Sequence, residues 1–138
     1  MKKLEINKDD LKYNLNLIKD KISGKAEIIA VVKANGMGLD LIQYAHFLID
    51  EGVEILGVAN TFEAICLRQN GIDKEILMMS EVYDEEDLTE LMKNDIILTI
   101  GSLEEKEKIE GIAKALEKEV KVHIKIDTGF ARFRFSLS

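Results

Sequence analysis

The chain has 138 residues, 46% apolar and 33% charged, the balance of a soluble globular domain or part of one. A net charge of −7 argues against nucleic acid or an anionic membrane surface as the main target, and no apolar run approaches the ~20 residues that span a bilayer. The single Cys66 rules out an internal disulfide framework and fits a reducing, cytoplasmic setting, and the opening "MKKLEINKDD" has no apolar segment behind its basic cluster, so no secretory signal is expected.

Residues 7–22 are predicted to be helical. Asn7 can cap the first turn, Asp9 and Asp10 suit the positive end of the helix dipole, and Leu11, Leu15, Ile18 and Ile22 share one face before Ser23-Gly24 ends it. Residues 28–32, a continuous β-branched and apolar run, read as a strand buried on both faces. A glycine turn follows. Residues 39–51 carry the amphipathic stripe Leu41, Ile42, Ala45, Leu48 and Ile49, stopped by Gly52.

The alternation then repeats. Residues 54–59 read as a strand, and Thr61 is predicted to cap a helix running to about Asn70. Residues 75–79 read as a strand, and Asp84 caps an acidic helix carrying Leu88, Leu91 and Met92. Residues 96–100 read as a strand, and Ser102 caps a helix with Ile109, Ile112, Ala113 and Leu116 on one face. Residues 122–126 are the fifth strand. Serial βα units imply an α/β fold with a parallel sheet. An open doubly wound sheet and a (β/α)8 barrel both fit the pattern. A barrel needs eight strands, so five would leave it open, with unpaired edges at 28–32 and 122–126.

Two clusters carry chemistry. Lys33 ends the first strand, at the carboxyl edge where α/β folds place their ligands. A desolvated lysine becomes a nucleophile suited to Schiff-base formation, and Gly36 and Gly38 would permit close backbone approach to a ligand. Position alone also allows a solvated strand-end lysine. The second cluster is "VHIKIDTGFAR". Alternation puts Val122, Ile124 and Ile126 on one face and His123 and Lys125 on the other; Asp127, Thr128 and Gly129 form a turn, and Arg132 follows. A lysine within a buried strand needs a partner or an altered charge state. The competing reading is an edge strand with a solvated charged face.

Other features are weaker. "GMGLDL" lacks the third glycine of a dinucleotide fingerprint, since that position is Leu41, and no phosphate-loop pattern occurs. Cys66 reads as a small buried hydrophobe and His46 as a boundary residue. These two and His123 lack metal-ligand spacing, so no metal is expected.

Together the two clusters resemble the N-terminal barrel domain of the alanine racemases, the fold-type III pyridoxal-phosphate enzymes. "AVVKANGMG" resembles the family's A-V-V-K-A-N-A-Y-G-H-G, and "VHIKIDTGFARF" resembles V-H-L-K-x-D-T-G-M-G-R-L. "LGVANTFEAICLRQNGI" and "LEINKDDLKYNLNLI" are similar to stretches of the same domain, in the same order along the chain.

The resemblance implies a partial (β/α)8 TIM-type barrel of about five parallel strands over residues 1–138, without the remaining barrel strands and the β-domain. It implies pyridoxal 5′-phosphate as cofactor, bound covalently by Lys33, which would also be one of two catalytic bases. Lys125 matches a lysine often carbamylated in the family; as a carbamate it would orient Arg132, which would hydrogen-bond the cofactor's phenolic oxygen. Met37 stands where the family has a phosphate-contacting tyrosine, Leu39 where it has a histidine, and Arg134 where it has a glycine. The implied activity is interconversion of L- and D-alanine, a small-molecule amino-acid substrate, by a homo-oligomer or edge-paired assembly. The main phosphate loop and the second base, a tyrosine donated across a dimer, fall outside these residues, so the 138 residues are expected to be a fragment that is inactive alone. The alternatives are another fold-type III amino-acid racemase and a non-catalytic half-barrel used for binding or assembly.

Overall fold

The computed structural model describes residues 4–129. Helix α1 (Lys8–Ile22) begins at Asn7, whose side chain accepts the Asp9 N–H, and ends at Ser23, whose backbone turns left-handed at φ 52°. Strand β1 (Ile29–Val31) leads into a helical turn, α2 (Lys33–Met37), and then helix α3 (Leu41–Asp50). Strand β2 (Ile55–Val58) is followed by α4 (Thr61–Gln69), β3 (Glu75–Met78) by α5 (Glu85–Lys93), and β4 (Leu98–Ile100) by α6 (Leu103–Ala115). Strand β5 (Val122–Ile124) comes last among the described residues.

All pairings are parallel. Ile29, Ala30 and Val31 of β1 lie opposite Ile55, Leu56 and Gly57 of β2, and β2 runs from Ile55 opposite Glu75 to Val58 opposite Met78 of β3. Strands β3 and β4 meet through a bridge between Leu77 and Ile97, where the Ile97 N–H donates to Ile76 and the Met78 N–H to Ile97. Strand β4 pairs Leu98, Thr99 and Ile100 with Val122, His123 and Ile124. The spatial order is therefore the chain order, one to five. A doubly wound sheet reverses direction at a switch point, and this sheet has no reversal. The fold is α/β, a partial (β/α)8 barrel.

Strand alternation divides the core in two. Outward residues Val32, Leu56, Val58, Ile76, Met78, Leu98 and Ile100 are buried with Leu48, Ala64, Leu67, Leu88, Leu91, Met92 and Ile109 of the helices. Inward residues Ile55, Leu77 and Ile97 form a second, smaller cluster with Met79 against it. No helix among the described residues is long and apolar enough to cross a membrane.

Four expectations change. The first strand is not buried on both faces: Ile29 is 37% exposed and only Val32, just past β1, is fully covered, because β1 has a strand partner on one side alone among the described residues. Strand β5 is exposed throughout, with Ile124 at 67% and Ile126 at 54%, so Lys125 does not belong to a buried strand. The register puts Val122 and Ile124 on the outward side, where no described helix covers them. In α1, Ile18 is 51% exposed, since the helix is seated mainly by Leu15. The cap of α4 is Asn60, not Thr61: the Asn60 side chain accepts the Glu63 N–H at 2.9 Å.

Candidate active site

Lys33 leaves β1 at the carboxyl end of the sheet. The residue before it, Val32, is wholly buried and donates its N–H to the Gly57 carbonyl at 2.8 Å, whereas Lys33 is exposed. The residue is therefore open to solvent among the described residues, not desolvated.

The segment after it is more specific than a glycine turn. Ala34 (φ 54°, ψ 52°), Asn35 (55°, 52°) and Gly36 (66°, 36°) are all left-handed, and Met37 (φ 56°) and Gly38 (φ 87°) keep φ positive. This is a turn of left-handed helix, a conformation that costs L-residues about 1–2 kcal/mol each and persists only where the surroundings hold it. Several bonds do so. The Gly36 N–H donates to Val32 at 2.8 Å and the Gly38 N–H to Ala34 at 3.0 Å. The Asn35 side chain accepts the Leu41 N–H at 3.0 Å, tying the turn to the start of α3. The Glu63 carboxylate, on α4, accepts the Ala34 N–H at 2.7 Å.

The two glycines meet local needs of packing and backbone conformation. Gly36 is buried, and a Cβ there would stand 3.2 Å from the Leu41 Cα and backbone nitrogen. It makes room for the start of α3. Gly38 has nothing within 4 Å of that position, so its requirement is the positive φ itself. Met37 is 60% exposed, and its thioether cannot donate the hydrogen bond that a tyrosine would.

Lys125 follows β5. Its backbone N–H donates to Ile100 at 2.9 Å and its Nζ to the Met79 carbonyl at 3.5 Å, which places the ammonium beside the end of β3. The expected turn at 127–129 is present, with the Gly129 N–H donating to the Asp127 side chain at 3.0 Å. Arg132 and Arg134 lie outside the described residues. His46 is exposed and Cys66 half-buried on α4, and no group of three or more metal-ligating side chains occurs among the described residues.

Glu63 is the residue that sequence reasoning missed. It is 6% exposed, and its second oxygen accepts the Ala59 N–H at 3.1 Å. Asn60-x-x-Glu63 is a capping-box spacing, and placing the cap at Thr61 hid it. The same device recurs in α6, where Ser102 accepts the Glu105 N–H and the Glu105 carboxylate accepts the Gly101 N–H at 2.6 Å.

This arrangement has known relatives. Residues 6–135 match the sequence family described as alanine racemase, N-terminal domain. The chain is 38% identical over 131 residues to the alanine racemase of Methanococcus maripaludis, covering 95% of this chain and 35% of that protein. It is 39% identical over 133 residues to the alanine racemase of Clostridium kluyveri, covering 96% and 34%. It thus spans about a third of the length of these relatives. Among solved structures, alanine racemase from Clostridium difficile 630 superposes with a TM-score of 0.87 at 41% identity, over 93% of this chain and 33% of that one. A histidine racemase from Leuconostoc mesenteroides superposes with a TM-score of 0.85 at 27% identity, over 94% and 34%. An exposed lysine at the end of β1, a parallel half-barrel in chain order and these matches along its length agree: the chain belongs to the alanine racemase N-terminal domain family.

Proposed function

We propose that these residues form the lysine-bearing part of a pyridoxal 5′-phosphate-dependent amino-acid racemase site whose substrate is alanine. The observation that carries this is Lys33, a primary amine exposed at the carboxyl edge, flanked by a fully buried Val32 and a turn held in a costly conformation. An accessible amine is the donor that the cofactor's aldehyde requires, so the residue fits the group. When bound, the cofactor supplies an electron sink for negative charge at the substrate's α-carbon. Lys33 would hold it, and Lys33 Nζ would move the α-proton on one face of the substrate. Return of a proton on the other face needs a second group. By the family resemblance that group lies outside these 138 residues, so the isolated chain is expected not to racemise.

Lys125 is assigned the carbamylated position. Its uncharged Nζ would add to carbon dioxide with loss of one proton. The nitrogen keeps an N–H able to donate to the Met79 carbonyl, and the new carboxylate is the anion that would orient Arg132 toward the cofactor's phenolic oxygen. With Met37 in place of the family's tyrosine, the cofactor's phosphate would lack that contact, which predicts weak retention of the cofactor. The compartment proposed is cytoplasmic.

Two other readings have an observation behind them. The histidine racemase likeness keeps another amino acid open as substrate. The exposed apolar residues of β5 favour an assembly role for a half-barrel.

The test is covalent trapping. The chain is mixed with pyridoxal 5′-phosphate, reduced with borohydride and mapped by peptide mass. Label concentrated at Lys33, and lost from the chain's cofactor spectrum in Lys33→Ala, is the expected result. Identical spectra for the two chains would refute the cofactor assignment, and measurable racemisation by the isolated chain would refute its inactivity.

A further inference from the structure

We infer that Glu63 is a positioning residue for Lys33, acting through the Ala34 N–H. The inference rests on the proposed role of Lys33.

The argument is geometric. The Ala34 nitrogen belongs to the same planar peptide unit as the Lys33 carbonyl. Anchoring that N–H to Glu63 Oε1 at 2.7 Å therefore fixes ψ of Lys33. On the other side, the Val32 carbonyl, in the peptide unit that carries the Lys33 N–H, accepts the Gly36 N–H at 2.8 Å. The Lys33 Cα is held between two anchored units, and its side chain leaves in a set direction.

Helix capping does not account for this. Glu105 occupies the corresponding place in α6, and its bond to the Gly101 N–H is local. Glu63 makes the matching local bond to Ala59 with Oε2. Its other oxygen crosses to a segment 29 residues earlier in the chain. A buried carboxylate is retained at a cost unless it is fully hydrogen-bonded. Here both oxygens are engaged by backbone donors of two consecutive βα connections, and charge-assisted bonds of this kind are the strong ones. The segment so held is the one with three non-glycine residues at positive φ, Ala34, Asn35 and Met37. Without an external acceptor it would relax to an ordinary turn and release Lys33.

The test compares Glu63→Gln with Glu105→Gln. Glutamine has one acceptor oxygen, so its NH2 group would stand where the second carboxylate oxygen accepts an N–H. Two quantities are read: hydrogen exchange at the Ala34 amide, and the rate of pyridoxal 5′-phosphate labelling at Lys33 relative to the exposed Lys25 and Lys93. In labelling, the neutral amine adds to the aldehyde carbon, water leaves as the C=N bond forms, and borohydride delivers hydride to that carbon. For E63Q we expect about tenfold faster Ala34 exchange and about tenfold loss of Lys33 preference, with neither change in E105Q. Unchanged exchange overturns the clamp. Faster exchange with unchanged Lys33 preference overturns the positioning role and leaves Glu63 a cap.

If the unaltered chain shows no Lys33 preference, the cofactor reading fails separately. Acetic anhydride then decides the positioning claim: a changed relative rate at Lys33 in E63Q but not in E105Q supports it, and equal rates overturn it. Should E63Q fail to fold, scalar coupling across the hydrogen bond between the Ala34 nitrogen and the Glu63 carboxyl carbon is measured in the unaltered chain. Its presence supports the clamp, and its absence overturns it.

Discussion

Gly57 shows how a single missing side chain shapes the inner face of the half-barrel. A Cβ added there would stand 2.8 Å from the Met79 Sδ and 3.4 Å from the Ile29 Cγ2. Met79 therefore lies across the space that Gly57 leaves, against Ile55, Leu77 and Ile97, and its carbonyl receives Lys125 Nζ. Thioether chains are flexible, so Gly57→Ala is expected to displace Met79 rather than break the fold, at a cost of about 1 kcal/mol. Met79→Ala in the same chain should cost less than the sum of the two single changes, by roughly 0.5–1 kcal/mol. Urea unfolding of the four chains checks this, and strict additivity would refute the contact. At this scale the sequence was informative where a residue acts beside its neighbours. Lys33 was legible from its strand end and motif. Glu63 and Met79 were not, because their partners are 29 and 46 residues away in the chain and reach them only once the strands are in register.

The elements were legible wherever a helical stripe met a cap, as in α5, where Asp84 accepts the Glu86 and Asp87 N–H groups and Leu88, Leu91 and Met92 are buried. The handedness of α2 was hidden. Asn and Gly tolerate positive φ, but Ala34 does not announce it, and the turn is imposed by bonds from α3 and α4. The connections at the other end of the strands have their own tie. Arg68, on α4, donates Nη1 to the Ile72 and Lys74 carbonyls at 2.7 Å each, Nε to Asn94 at 2.9 Å and Nη2 to Asp95 at 3.1 Å. One guanidinium thus stitches the entry to β3 to the entry to β4. Burial lowers its pKa, while Asp95 and Asp73 pull the other way. Arg68→Leu should lower stability by about 2–3 kcal/mol, because several carbonyls lose a charged donor. Arg68→Lys should recover only part, since an ammonium lacks the planar fork needed to span both loops. A fall in urea midpoint with an unchanged slope is the expected record. A leucine variant within about 0.5 kcal/mol of the parent would mean that water replaces the fork without loss.

For the whole molecule, the pattern of βα units could not choose between a doubly wound sheet and a barrel, because both alternate identically along the chain. Strand order decides it, and strand order is a long-range property. The same order leaves β1 and β5 each with one strand partner among the described residues. The consequence differs at the two ends. At β1 the outward side is closed by Val32, fully buried, and only Ile29 is exposed, at 37%. At β5 the outward row Val122, Ile124 and Ile126 is 37%, 67% and 54% exposed, and the strand has no second strand partner among the described residues. A strand edge with an apolar face is a template for pairing with another chain. The 138-residue chain is therefore expected to associate as its concentration rises, through β5 rather than β1. Ile124→Lys places a charge in the middle of that row and should shift sedimentation toward the monomer. Its stability should stay within about 0.5 kcal/mol, because an exposed side chain buries little within one molecule. Ile29→Lys should shift it far less. A compact monomer at every concentration, or equal effects of the two lysines, would remove β5 as the associating edge.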